Sequence, residues 1–312
     1  MVTPFAPSAP PRLQVSVCIV LFHTDEYLVE ECLSSVERAA TYAGCEAEII
    51  VVDNSSDAGL RGIFGTRARK WIWTPENLGF GTAANRACAV AEGTSMLLLN
   101  PDARLDEAAL LHLRNARESF GDEDVLLGGW LHHGDRVQID AFLFWWTSLG
   151  RFLKRPQFAV QLAAAADSAL MSVEKVCGGA LFGDTALLRG LGPFDERFFM
   201  YGEDADLSVR AANAGVKLFV VPPARVEHAA ASSQQQFSAL VERARADAAI
   251  RMSSYHRSRI AALAVRFDLL VVTIIGLLPG LGKTSGSKPA RIGRLCELGR
   301  WRLARDRPQL RP

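Results

Sequence analysis

The sequence predicts an α/β fold in which a Rossmann-like, mostly parallel sheet is flanked by helices and followed by a helical, basic C-terminal extension. Three observations carry that prediction. The runs Val51-Val52-Asp53-Asn54-Ser55-Ser56 and Leu97-Leu98-Leu99-Asn100-Pro101-Asp102-Ala103 read as short buried strands that stop abruptly in a carboxylate and small polar residues. Open α/β sheets bind their ligands at such strand ends. Strand-like and helix-like segments alternate through the first 120 or so residues, as parallel βαβ units require. Finally, residues 251–312 hold 13 Lys and Arg against Asp268, Glu297 and Asp306, a net +10, whereas the rest of the chain carries 22 basic and 31 acidic side chains, a net −9. A basic tail is thus attached to an acidic body.

Taken in order, Val15 to Phe22 reads as a buried strand. Thr24 can cap a helix whose Leu28, Cys32, Leu33 and Val36 share one face and which Gly44 ends. Glu48 to Val52 is a second strand, Lys70 to Trp73 a third and Met96 to Leu99 a fourth, with helical patterns from Thr82 to Ala91 and from Asp106 to Glu118. From Gly121 to Val173 the pattern loosens. There Phe142, Phe144, Trp145, Trp146, Phe152 and Phe158 crowd together, either as core beneath a long excursion or as an aromatic wall for an acceptor. Order returns at Lys175 to Phe182, at a helix from Glu203 to Ala214 ended by Gly215, and at a strand from Lys217 to Val221 closed by Pro222-Pro223. These limits divide the chain into a disordered tail over 1–14, a catalytic domain over 15–235 and a helical extension over 236–312.

At 312 residues, 49% hydrophobic and 22% charged, the chain can bury a full core. Its six cysteines show no C-x-x-C spacing and fall mostly within apolar patterns, which argues against a structural zinc site or a disulfide framework and for a reducing compartment. The first fourteen residues contain four prolines and no apolar run, so they do not read as a secretory signal and the chain is expected on the cytoplasmic side.

Between the two carboxylate-ended strands lies Glu76-Asn77-Leu78-Gly79-Phe80-Gly81-Thr82-Ala83-Ala84-Asn85-Arg86, where glycines let backbone approach a ligand and a helix starts. Further on, Met200-Tyr201-Gly202-Glu203-Asp204-Ala205-Asp206-Leu207 packs three acids into four residues. In this order, the four segments resemble those of the family-2 glycosyltransferases with the GT-A fold, especially the bacterial rhamnosyltransferase and galactofuranosyltransferase type. The resemblance runs from about Val15 to about Ser233.

The resemblance implies roles for particular residues. Asp53 would recognise the nucleobase, and Asn77, Gly79 and Asn85 would lie along the nucleotide. Asn100-Pro101-Asp102 occupies the place of the family's D-x-D motif, which holds Mg²⁺ or Mn²⁺ between the donor phosphates. With Asn in place of the first acid, Asp102 becomes the principal metal ligand, Asn100 a helper on the donor side, and His228 the group that completes coordination. In Glu203-Asp204 the Asp would be the general base and the Glu an acceptor-side partner, while Cys177-Gly178-Gly179-Ala180 would line the acceptor side, with Gly179 leaving room for a sugar. Taken alone, the same residues have plainer readings. An Asp after a strand can cap a turn, a lone histidine can be structural, and acids in a first helical turn are favoured by the helix dipole. Asp206 fits the last description, paired with Arg210 at i, i+4.

The expected activity is metal-dependent, inverting transfer of a sugar, rhamnose by resemblance, from a nucleoside diphosphate sugar to a saccharide or lipid-linked saccharide in cell-surface polysaccharide synthesis. A non-catalytic sugar-nucleotide or polysaccharide binding module is the alternative from another class. A nucleotidyltransferase would carry a Gly-rich, Lys-containing loop after its first strand, where this chain has His23-Thr24-Asp25-Glu26. In the extension, the uncharged run Leu269 to Leu278 is about half of what a bilayer-spanning helix needs. With the basic residues after it, it suits either peripheral contact with the anionic inner face of the membrane or packing on the catalytic domain or a second copy, with the tail in solvent. No nucleic acid partner is expected.

Overall fold

The computed structural model describes residues 13–57, 59–229, 238–277 and 288–299. Nearly all of the expected N-terminal tail, the boundary at 235 and the arginines beyond residue 299 lie outside them. Strands β1 (Val15–Leu21), β2 (Ala47–Asp53), β3 (Lys70–Trp73) and β4 (Ser95–Leu99) pair in the order β3-β2-β1-β4, all parallel. Every residue of β1 is buried. Six of its seven side chains are apolar, as in a parallel strand covered on both faces, and the seventh, Ser16, donates to Glu48 at 2.6 Å.

Helices α1 (Glu26–Tyr42), α2 (Gly59–Phe64) and α3 (Phe80–Val90) make the crossovers. The cap of α1 is Asp25, whose carboxylate accepts from the Tyr27 amide at 2.9 Å, whereas the Thr24 hydroxyl accepts from the Phe22 amide. The chain winds one way from β1 to β3 and then returns to place β4 on the other side of β1. The C-terminal ends of β1 and β4 are therefore the topological switch point, where open α/β sheets bind their ligands.

The second half comprises β5 (Ala103–Leu105), α4 (Ala109–Glu118), β6 (Val125–His133), β7 (Arg136–Val137), α5 (Ile139–Phe142), α6 (Ser148–Ala165), β8 (Met171–Ser172), β9 (Ala180–Asp184), α7 (Thr185–Leu191), α8 (Glu203–Asn213) and β10 (Lys217–His228). The sheet continues β4-β9-β6-β10-β5, with β7 beside β6 and β8 beside β10. Along the main path only β9 and β5 run against the other six. Asp53, Asn100 and His228 therefore lie at or just past the same ends of three strands, and β9, running the other way, starts at that edge just after Gly179.

Two expectations are corrected here. The loosened stretch contains the nine-residue strand β6, buried at all but its last position. Its Gly128-Gly129 pair hides the strand pattern, yet a Cβ on Gly129 would lie 2.7 Å from Val226, so β6 and β10 can pair there only without one. Pro222-Pro223 do not end β10 either. They produce a register shift between Val221 and Arg225, after which the strand continues to His228, as prolines do at bulges. The crowded aromatics divide between roles: Phe142 is fully buried and stacks with Trp130, Phe144 and Trp146 pack edge to face, and Phe152 is exposed.

Among the described residues three helices follow, α9 (Ser238–His256), α10 (Arg259–Leu277) and α11 (Lys288–Gly299). Ala248 and Met252 of α9 pack on Phe198 and Ala205, and His256 Nε2 meets Asp206 at 2.7 Å. The first helix of the extension is thus built into the catalytic body.

Candidate active site

Asp53, the last residue of β2, is fully buried. Its Oδ1 accepts from the Ser55 amide at 3.0 Å, and its Oδ2 has no hydrogen-bond partner in the protein. A buried carboxylate oxygen left unpaired is costly, so a ligand N–H is the group that would satisfy it. Next to it, Asn54 donates to the Gly79 carbonyl at 3.1 Å and accepts from the Thr74 hydroxyl at 2.7 Å.

Asn77 accepts from the Gly79 amide at 3.0 Å and so forms the turn that leads into α3. Gly79 has φ +81°, and a Cβ there would lie 2.1 Å from the Phe199 carbonyl oxygen, which accepts from the Phe80 amide at 2.9 Å. Only glycine fits that turn. Asn85 exchanges two hydrogen bonds with the Phe194 backbone, at 2.9 and 3.0 Å. Placed along the donor by the sequence reading, its amide is used in the fold to hold the 194–199 segment against α3.

At the end of β4, Asn100 and Asp102 meet His228. His228 Nε2 is 3.1 Å from Asn100 Nδ2 and 3.1 Å from Asp102 Oδ1. Gln138 brackets the histidine: its Nε2 donates to the His228 carbonyl at 3.0 Å, which leaves its Oε1 to accept from Nδ1–H at 2.9 Å. In the neutral ring Nε2 then turns a lone pair toward a carboxylate, an arrangement that needs a cation or a proton between them. A second partner that fixes the tautomer in this way is the usual support of a metal-binding histidine. Among the described residues no group of three or more His, Cys, Asp or Glu is arranged to hold a metal ion. Asp102 and His228, with the Asn100 amide oxygen once rotated, therefore fit a hard divalent ion that takes its remaining ligands from phosphate and water.

Adjacent glycines join this group to the acid pair. A Cβ on Gly179 would touch Asn100 Nδ2 at 3.4 Å, and one on Gly178 would lie 3.9 Å from the Asp204 Cβ. Asp204 Oδ2 is 3.8 Å from Lys175 Nζ, which also donates to the Asp140 carbonyl at 3.0 Å. The two carboxyl groups therefore have opposite settings. Burial, then the Asp204 charge, pushes Glu203 up from the ordinary 4.5 to about 8, and its Oε2 has no partner. Asp204 instead faces the Lys175 ammonium group.

Burial, reinforced by Asp204, pushes the nearby Cys177 thiol up to about 12, so it is a neutral thiol and no nucleophile. Asp206 is buried between Arg210 at 2.8 Å and His256 at 2.7 Å, a structural role. The sequence reading missed Gln138 and Lys175. Neither belongs to a motif, and only the fold brings them to the site.

The family model described as glycosyl transferase family 2 matches residues 16–172. Among solved structures, the mannosyltransferase PcManGT from Pyrobaculum calidifontis, in complex with GDP-Man and Mn²⁺, shares 17% identity at a TM-score of 0.57, over 93% of this chain and 86% of that one. GalNAc-T7, solved with UDP, GalNAc and Mn²⁺, shares 16% identity at a TM-score of 0.54, over 70% of this chain and 43% of its own. The chain thus spans less than half of that second protein. No curated protein sequence matches it.

Proposed function

The chain belongs to glycosyl transferase family 2, and from that premise we propose that it moves a sugar from a nucleoside diphosphate donor to a saccharide or lipid-linked saccharide, with inversion at the anomeric carbon, in cell-surface polysaccharide synthesis. It is a glycosyltransferase of GT-A fold, and membership in an enzyme family displaces the binding-module alternative. The observation that carries the mechanism is the split acid pair. Two adjacent carboxyl groups, one pushed toward its neutral form by burial and one facing the Lys175 ammonium group, are divided by their surroundings into separate tasks.

Asp204 takes the proton of the acceptor hydroxyl. The freed oxygen attacks the anomeric carbon from the side opposite the diphosphate, and the C–O bond to the leaving group breaks with its electron pair. Glu203, pushed toward its neutral form and without a partner at Oε2, has a hydrogen bond left to donate on the acceptor side. Asp53 Oδ2 suits a ring N–H of the base, with the Asn77–Gly79 turn beside the nucleotide. The Mn²⁺ in both related structures supports a divalent ion, Mg²⁺ or Mn²⁺, at Asp102, Asn100 and His228, where it would offset charge on the departing diphosphate.

Rhamnose, carried as its dTDP derivative, is the leading donor, with UDP-galactofuranose and UDP-hexoses as competitors. A screen of these donors by binding and hydrolysis, with Mn²⁺ and with EDTA, tests the reading. One donor should bind in a metal-dependent way. Asp102→Ala should weaken that binding, and Asp204→Asn should leave it intact while lowering turnover by about 10²- to 10⁴-fold. Absence of binding to every donor, or full turnover in Asp204→Asn, would overturn it.

A further inference from the structure

We propose that the outer faces of α6 and α10 form a docking surface for an anionic lipid bilayer, on which the protein lies without crossing. The sequence showed about ten uncharged residues here, bounded by Arg266 and Asp268. In the fold, α10 is an unbroken helix of 19 residues, long and apolar enough by length and composition to span a membrane. Both interrupting charges are turned away from its outer face. Arg266 is buried and donates to the Leu298 carbonyl at 2.8 Å, and Asp268 accepts from the Ser148 amide at 2.8 Å.

The inner face of α10 is closed by Ala262, Val265, Thr273 and Gly276. The opposite face is open: Ile260 is 78% exposed, Phe267 67% and Ile274 48%, at the seven-residue spacing of one helical stripe. The bond from Ser148 to Asp268 fastens the start of α6 alongside. There Phe152 and Val160, 75% and 70% exposed, continue the apolar surface. Single exposed apolar side chains are ordinary, but two stripes on joined helices are not.

Charge selects the occupant. The three helices α9 to α11 over 238–277 and 288–299 hold nine Lys and Arg against four acids, a net +5. A second copy seated on this face would bring the same excess against itself, whereas an anionic leaflet neutralises it. Packing selects the mode, because a helix whose inner face holds a buried arginine and a tied aspartate, and packs against α9 and α11, is suited to lie in the interface. The surface also borders the site, since α6 follows α5, whose Asp140 carbonyl receives Lys175. An acceptor carried in the membrane would then be presented on the acceptor side. This inference does not depend on the sugar transferred.

The test is flotation of the full chain with vesicles of phosphatidylcholine alone and with phosphatidylglycerol added, at low and high salt. Binding to anionic vesicles, weakened by salt and by at least about tenfold in both Phe267→Glu/Ile274→Glu and Phe152→Glu/Val160→Glu, is expected, with circular dichroism and donor binding unchanged. Three results overturn the proposal: no flotation with any vesicle, flotation indifferent to both variants, or a dimer that the variants convert to monomer without any lipid binding. Retention in cell membranes through both high salt and alkaline carbonate would make α10 a span and overturn it as well. Because donor binding is read separately, failure here leaves the catalytic reading standing.

Discussion

Glutamine at position 203 tests whether that carboxyl is neutral in the working enzyme. Burial and the neighbouring Asp204 hold Glu203 at about 8, against an ordinary 4.5. A proton bound more tightly by the folded chain than by the unfolded one stabilises the fold fully below about pH 4.5, and that contribution is lost as the pH rises to about 8. At about 1.4 kcal/mol per pH unit the loss reaches roughly 4 to 5 kcal/mol. Glutamine has the shape of the protonated acid and does not titrate. Wild type and Glu203→Gln should therefore be equally stable near pH 5 to within about 1 kcal/mol, and the variant should be ahead by several kcal/mol at pH 9. Urea unfolding at pH 5, 7 and 9, compared at constant slope, reads the difference. A difference that stays flat with pH, or a wild type that gains on the variant, would refute the neutral Glu203 and with it the division of tasks between residues 203 and 204.

Two further predictions follow from close contacts. Gly79→Ala forces a side chain into a φ of +81° against the Phe199 carbonyl, and should cost roughly 2 kcal/mol or more, read as a lowered thermal midpoint. An unchanged midpoint would mean that the turn is not held as described. Gln138→Leu removes the acceptor for His228 Nδ1–H, and should lower donor affinity by about 10- to 100-fold in Mn²⁺ but not in EDTA, measured by calorimetry. An equal drop in both buffers would place Gln138 outside metal support.

What could be read from the chain was what depends on neighbours in sequence. The strands β1 to β4 are mostly apolar, and β2 and β4 stop at Asp53 and Asn100-Pro101-Asp102, so both the sheet and the edge where those polar residues gather were legible. Strand β6 was not, because Gly128-Gly129 serve its packing on β10 and erase the apolar signal. The extension of β10 past Pro222-Pro223 was hidden for a related reason: pairing with β6 and β5 on either side overrides the local preference of proline. Among the site residues, Gln138 and Lys175 were invisible as single polar residues in irregular sequence. Their partners, His228 and Asp204, lie 90 and 29 positions away in the chain. Asn85 was legible as part of the glycine-rich 76–86 segment, but its use as a clip on Phe194 depends on a segment that arrives more than a hundred residues later.

The clasp between the Gly79 turn and Phe199 also bears on how this enzyme could be redesigned. Residues 77–85 and 194–199 are held to each other by the Phe80 amide and by both atoms of the Asn85 amide, and α8, with Glu203 and Asp204, starts four residues later. A graft that imported a new 77–85 loop from a relative would pull on the 194–199 segment and on the start of α8, and would displace them unless the matching 194–199 stretch came along. With the roles proposed above for Asn77, Gly79 and Asp204, donor preference and catalytic alignment would be inherited as one cassette, and libraries meant to change the sugar should vary the two stretches together.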